Sequence, residues 1–253
     1  MDKSSGYKHF FVDLDGTLIG RDEQISGPVA KSMAKLKERL GVSIATGREP
    51  SDVLRFARQL GLTMPQISDN GALILDPTTG EKMWSEPLKP DVAQYVISTL
   101  VGLNVEFLAT HPGGTVTDHQ DIARWDLTRV SALDLGDSKA DDVVDLFSRN
   151  PDLHVVKVHL PYNGLWAVDF TRDGVNKATA IKWLGSELGL DTAGIIGAGD
   201  SYNDLPLLES CGLRIVMGNA PDELKEIADY VAPSVDEDGL AVAIEEFILP
   251  RVS

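Results

Sequence analysis

The sequence predicts an α/β protein: a doubly wound parallel sheet interrupted by a small inserted α+β module. Three observations carry this. Short apolar strand patterns alternate with amphipathic helix patterns up to Gly61, the alternation resumes after Lys177, and between Glu86 and about Trp166 the rhythm changes. Strand, helix, strand, helix at this spacing is the pattern of a parallel sheet covered on both faces. The expected division is therefore one domain from residues 1–85 and 167–253, with residues 86–166 as the insert.

Phe10-Phe11-Val12 opens the sheet as an apolar strand buried on both faces. Val29, Met33, Leu36 and Leu40 then recur at helical spacing, with Pro28 in the first turn and Gly41 as the stop. Val42 to Thr46 gives a second strand, and a helix from about Ser51 to Leu60 ends at Gly61. Asp76 to Gly80 reads as a hairpin turn between Ala-Leu-Ile-Leu and Lys82 to Ser85. The insert shows two helices, Asp91 to Val101 and Lys139 to Ser148. Its strand-like stretches are 105–109, 115–117, 154–160 and 165–170, a mainly antiparallel sheet. Afterwards Lys177, Ala180, Ile181, Leu184 and Leu188 form a helical stripe. Strands follow at 194–197 and 214–217, and helices at 205–208, 222–228 and 240–247.

The chain of 253 residues is 43% hydrophobic and 25% charged, an ordinary globular balance. Lys and Arg number 23 against 39 Asp and Glu, a formal net charge of −16. Such a surface repels nucleic acid and anionic membrane, so neither is expected as a partner, and an anionic substrate needs local positive charge. The single cysteine, Cys211, excludes an intrachain disulfide. No signal pattern and no membrane-length apolar run are seen, so the cytoplasm is expected, with the protein a monomer or homodimer.

Two carboxylates follow the first strand in Asp13-Leu-Asp15-Gly16. Side chains two apart on a strand point the same way, and like charges so close favour a cation between them. Magnesium, which takes carboxylate and phosphate oxygens, suits the pair. Asp236-Glu-Asp-Gly239 spells the same pattern without an apolar strand before it and reads as a solvated turn entering a helix. Gly197-Ala-Gly-Asp200-Ser-Tyr-Asn-Asp204 leaves another apolar strand with two more carboxylates; a dinucleotide loop would need glycine where Tyr202 stands. Lys177 begins a helix, an unfavourable place for a cation unless an anion is bound nearby. Thr46 and Gly47 end the second strand and could donate to the same anion. There is no zinc spacing, no Gly-rich Lys-Ser/Thr phosphate loop and no serine elbow.

The four segments D-L-D-G-T, I-A-T-G-R, G-V-N-K and G-D-S-Y-N-D-L-P-L-L, in this order, closely resemble the motifs of the haloacid dehalogenase superfamily of phosphatases. The insert after the second motif, with Asp69-Asn-Gly-Ala and Asp238-Gly-Leu-Ala, resembles the Cof-type or IIB branch with its C2 cap. The resemblance implies a Rossmann-like core and Mg²⁺-dependent hydrolysis of a small phosphorylated metabolite. In it, Asp13 is the nucleophile and Asp15 the acid and base. Thr46, Gly47 and Lys177 hold the phosphoryl oxygens, with Asn203 near them. Asp13, the Asp15 carbonyl and Asp200 bind the metal, with Asp204 in support.

At about 80 residues the insert resembles the small caps of archaeal phosphoglycolate phosphatases, which implies phosphoglycolate or a sugar phosphate as substrate, with Arg124, Trp125, His119 and Tyr162 as candidate contacts and hinges near Glu86 and Phe170. The alternatives are a phosphomannomutase-like transferase and a non-catalytic phospholigand sensor.

Overall fold

The computed structural model describes residues 6–160 and 163–252. The first strand, β1 (His9–Val12), is an interior strand of a five-stranded sheet. Helix α1 (Gly27–Leu36) starts at Ser26, whose hydroxyl accepts from the Val29 amide, and leads to β2 (Gly41–Ile44). Helix α2 (Pro50–Leu60) ends at Gly61, whose φ of 61° closes the helix in a left-handed cap. A three-stranded antiparallel sheet follows: β3 (Gln66–Ser68), β4 (Leu73–Leu75) and β5 (Lys82–Ser85). Strand β3 was not foreseen: three residues are too few to show a period.

The second five-stranded sheet is antiparallel, in the order β7-β6-β8-β10-β9. It is built from α3 (Pro90–Gly102), β6 (Phe107–His111), β7 (Gly114–Val116), β8 (Arg129–Leu135), α4 (Asp137–Phe147), β9 (Leu153–His159) and β10 (Trp166–Arg172). Two sequence expectations change here. Strand β8 was missed, although it is the centre of this sheet. The boundary set at Trp166 cuts a strand, because residues 166–172 pair throughout with β9.

The chain then returns to the parallel sheet through α5 (Lys177–Leu188), β11 (Ile195–Gly199), α6 (Leu205–Glu209), β12 (Leu213–Val216), α7 (Asp222–Lys225) and β13 (Tyr230–Val231), and ends through α8 (Gly239–Val242). The sheet order is β13-β12-β11-β1-β2, all parallel. Alternation divides β1 between two cores: Phe10 and Val12 pack among residues of α1, α2 and the C-terminal helices, Phe11 among those of α5 and α6. A third core lies between the antiparallel sheet and α3 and α4. The two crossings between sheets lie together, joined by an ion pair between Glu86 and Arg172. No helix among the described residues is long and apolar enough to cross a membrane.

Candidate active site

Parallel pairing of β1 with β11 sets their carboxyl ends side by side, so Asp13 and the loop after Gly199 leave the sheet at one place. One oxygen each of Asp13, Asp200 and Asp204 lies within 4.8 Å of the others. Gly16 and Gly199 make this approach possible. A Cβ on Gly16, whose φ is +76°, would stand 2.1 Å from Asp200 Oδ2, and one on Gly199 would stand 2.6 Å from the Asp204 side chain.

Lys177 enters the same cluster from the first turn of α5, which Asn176 and Thr179 fix in a reciprocal capping box. Its ammonium is 1% exposed and donates to Asp13 Oδ1 and Asp204 Oδ1, each at 2.6 Å. The second oxygen of Asp204 accepts from the amides of Asp200 and Ser201, both at 3.0 Å, so this carboxylate orients the loop while it steadies the lysine. Asp200 accepts from Thr17 Oγ1 at 3.2 Å and from Asn219 Nδ2 at 2.9 Å. Asn219 also donates to the Gly16 carbonyl at 3.0 Å and thereby ties the two acidic turns together.

Three carboxylates around one ammonium leave excess negative charge in a buried place. Burial first and the Asp204 charge second push Asp13 well above the usual carboxylate range, despite the opposing pull of Lys177. The same two causes push Asp200 up to about 7. Burial would lower Lys177, but Asp13 and Asp204 outweigh it and hold the ammonium above the ordinary lysine range. A hard divalent cation relieves this imbalance and finds only oxygen donors, so the residues present fit magnesium.

Asp15 lines the same cleft as Asp13 but is held differently. The strand ends at Val12, Gly16 turns the chain, and the Asp15 carboxylate lies in the bidentate grip of Arg48, at 2.9 Å from Nε and 2.7 Å from Nη2. It is 38% exposed at the cleft, where Asp13 is buried beneath it. The acidic trio contains no carboxylate oxygen of Asp15.

The second strand delivers Thr46 and Gly47 against a bend at Asp69-Asn70-Gly71, with φ of 50°, 54° and 101°. Left-handed backbone at non-glycine residues costs about 1 kcal/mol or more each. The bend is held by bonds from the Asp69 amide to the Arg48 carbonyl and from the Asn70 amide to the Thr46 carbonyl, each 3.0 Å. Gly71 leaves no room for a side chain, since a Cβ would lie 2.1 Å from the Asn176 carbonyl, just before Lys177. One bend thus spaces the Thr46 loop from the lysine helix.

The cleft above these groups has a volume of about 430 Å³. Asp13, Asp15, Thr46, Gly47 and Asn203 line its floor, and Lys177 lies beneath it. Its roof is the antiparallel sheet. Of the contacts the sequence suggested there, none of His119, Arg124 and Trp125 lines the cleft: Arg124 pairs with Asp126, Trp125 packs on the core between sheet and helices, and His119 is exposed. Tyr162 lies outside the described residues. Arg129, Ser131 and Asp169 stand there instead. They come from β8, which sequence reasoning missed, and from β10. The one available signal was the alternation R-V-S-A-L-D-L itself.

Comparison with known proteins agrees with this architecture. The family model of haloacid dehalogenase-like hydrolases matches residues 10–160 and 136–244. A 5-amino-6-(5-phospho-D-ribitylamino)uracil phosphatase of Bacillus subtilis is 28% identical over 93% of this chain and 96% of its own. The phosphoglycolate phosphatase of Methanothermobacter thermautotrophicus is 26% identical over 94% of this chain and 97% of its own. Among solved structures, a haloacid dehalogenase-like hydrolase from Bacteroides thetaiotaomicron has a TM-score of 0.82 at 23% identity, covering 94% of this chain and 98% of its own, a likeness of fold.

Proposed function

From the premise that the chain belongs to the haloacid dehalogenase-like hydrolases, we propose that it is a Mg²⁺-dependent phosphomonoester hydrolase working through an aspartyl phosphate. Relatives named as phosphatases act on small phosphorylated metabolites; the short cap suggests phosphoglycolate or a sugar phosphate for this chain, a choice that the lining of the cleft narrows. The observation that carries the reading is the convergence of Asp13, Asp200, Asp204 and Lys177 under a cleft roofed by the second sheet, which we read as the cap.

In this reading Asp13 attacks phosphorus, and the bond to the leaving oxygen breaks while Asp15 gives that oxygen its proton. Asp15 then takes a proton from water, the water oxygen attacks phosphorus, and the bond to Asp13 breaks to release inorganic phosphate. Arg48 holds both oxygens of Asp15, so each proton transfer requires the guanidinium to give one up. Lys177, Thr46 and the Gly47 amide hold the phosphoryl oxygens, with Asn203 at the edge. Asp13, Asp200 and the Asp15 carbonyl would hold magnesium, with Asp204 behind them; when bound, the ion neutralises charge on the phosphoryl oxygens.

The test is phosphate release from a panel of small phosphomonoesters, with magnesium and with chelator, beside Asp13→Ala. Magnesium-dependent release that the variant abolishes is expected. Release that survives in the variant would remove Asp13 from the chemistry.

A further inference from the structure

Resting on the phosphatase reading, the kind of leaving group can be read from the roof of the cleft. Strand alternation sends Phe107, Ala109, Val130, Ala132, Val168 and Phe170 toward α3 and α4, where they form the cap core. The intervening residues face the other way, toward the catalytic floor. Leu108, Leu133, Val158 and Ala167 from four strands, with Leu160 just past the end of β9, line the cleft there. Pairing joins them into one surface: Leu108 stands opposite Ser131, and Ala167 opposite Val158. All but Ala167 remain half-buried, apolar area that a ligand in the cleft would cover. At about 430 Å³ the cleft lies within the range of about 300–1,000 Å³ that encloses metabolite-sized ligands. A two-carbon acid would leave most of it as water against leucine and valine.

Charge points the same way. Six carboxylates line the cleft against two guanidinium groups, and both guanidinium groups already face carboxylates. Arg48 pairs with Asp15, Glu23 and Asp52, and Arg129 with Asp69 and Asp169. An acidic leaving group would meet this excess with no cation open to it among the described residues, whereas Glu49 and Asp52 would accept hydrogen bonds from an amine or hydroxyl.

We infer that the enzyme is built for a neutral or amine-bearing leaving group of more than a few atoms, seated on the apolar face of the cap and bonded at its edge to carboxylates, and that it discriminates against carboxylic acids.

The test compares pyridoxamine 5′-phosphate, glycerol 1-phosphate and phosphoglycolate by phosphate release and, separately, by calorimetric binding. The expected order of kcat/KM is the order given, with the first about 100-fold above the last. Leu133→Asn and the milder Val158→Ser should raise KM for pyridoxamine phosphate about tenfold more than for glycerol phosphate. Phosphoglycolate within tenfold of pyridoxamine phosphate, or an equal rise in both KM values, would overturn the inference. Should no ester be hydrolysed, the phosphatase reading fails, and calorimetry still decides this inference: tighter binding of pyridoxamine phosphate than of phosphoglycolate supports it, and the reverse overturns it.

Discussion

Two buried charge clusters, one of which includes Asp69 of the 69–71 bend, are solved differently. At the seam with the second five-stranded sheet, Asp69 and Asp169 share Arg129, and their oxygens meet further protein donors. Thr128 and Ser131 each bond at 2.6 Å, and Asn70 Nδ2 at 3.0 Å. Under the cleft, Asp13, Asp200 and Asp204 share one lysine; burial raises Asp13 and Asp200 there as it raises Asp69 at the seam, but the Asp204 charge adds to the rise of Asp13 and Asp200, whereas Arg129 and Thr128 pull against that of Asp69. A buried cluster that serves the fold is neutralised from within, while one that serves chemistry keeps charge for a ligand to answer. The contrast predicts opposite responses to mutation.

The largest effect should come from Asp13→Asn. Activity should fall at least about 10⁴-fold, as removal of a nucleophile does. Because the change relieves crowding among carboxylates and leaves Lys177 its bond to Asp204, the midpoint of urea unfolding should hold or rise. A midpoint that drops with activity would mean that this cluster, too, is structural.

Arg129→Ala should do the reverse. Removing one partner of a buried pair costs about 3–5 kcal/mol, because Asp69 and Asp169 keep their burial and lose their cation. The change should appear as a lower unfolding midpoint at constant slope. Arg129→Met is expected to cost less when combined with Asp69→Asn than the two single changes together. Simple addition would show that the three groups are not one network.

The difference between the clusters also explains what the sequence made legible. Asp13, Thr46, Lys177, Asp200 and Asp204 each end or begin an element whose apolar pattern is local, and a parallel sheet brings such ends together. The seam was not legible. Arg129 and Ser131 alternate with Val130 and Ala132 as polar residues do on any half-exposed strand, and only the folded core decides that this face looks into a cleft. Asn219 was missed for a related reason: it reaches Asp200 from a loop 19 residues away, with no motif of its own. The roof contacts first suggested were chosen by residue type, and Trp125 shows the error, since its ring packs against the core between the antiparallel sheet and α3 and α4.

A third buried group separates burial from pairing. His9, at the other end of β1 from Asp13, bonds Ser43 at 2.8 Å, and burial pushes it down to about 4. It stays neutral instead of drawing a counter-charge. Since the folded value lies below the unfolded one of 6.5, the unfolded chain binds the extra proton as pH falls between them. Stability from this group is therefore present above pH 6.5 and lost toward pH 4, by at most about 3 kcal/mol. In His9→Gln that part of the pH slope should disappear from unfolding curves. An unchanged slope would assign it to the acidic clusters.

The smallest effect tests the central claim directly, because a cluster that keeps charge for a ligand must be stabilised by that ligand. A cation that binds only the folded state adds about 2.7 kcal/mol at a concentration 100 times its dissociation constant. Magnesium should therefore raise the thermal midpoint of the wild-type chain, and chelator should reverse the rise. Asp200→Asn should remove the response, since it takes away a carboxylate of the acidic trio and leaves Lys177 on Asp13 and Asp204. Arg129→Ala should keep it, although it starts from a lower midpoint. If Asp200→Asn responds to magnesium as the wild type does, the ion binds elsewhere. The excess charge under the cleft would then be a cost of the fold with no ligand to explain it.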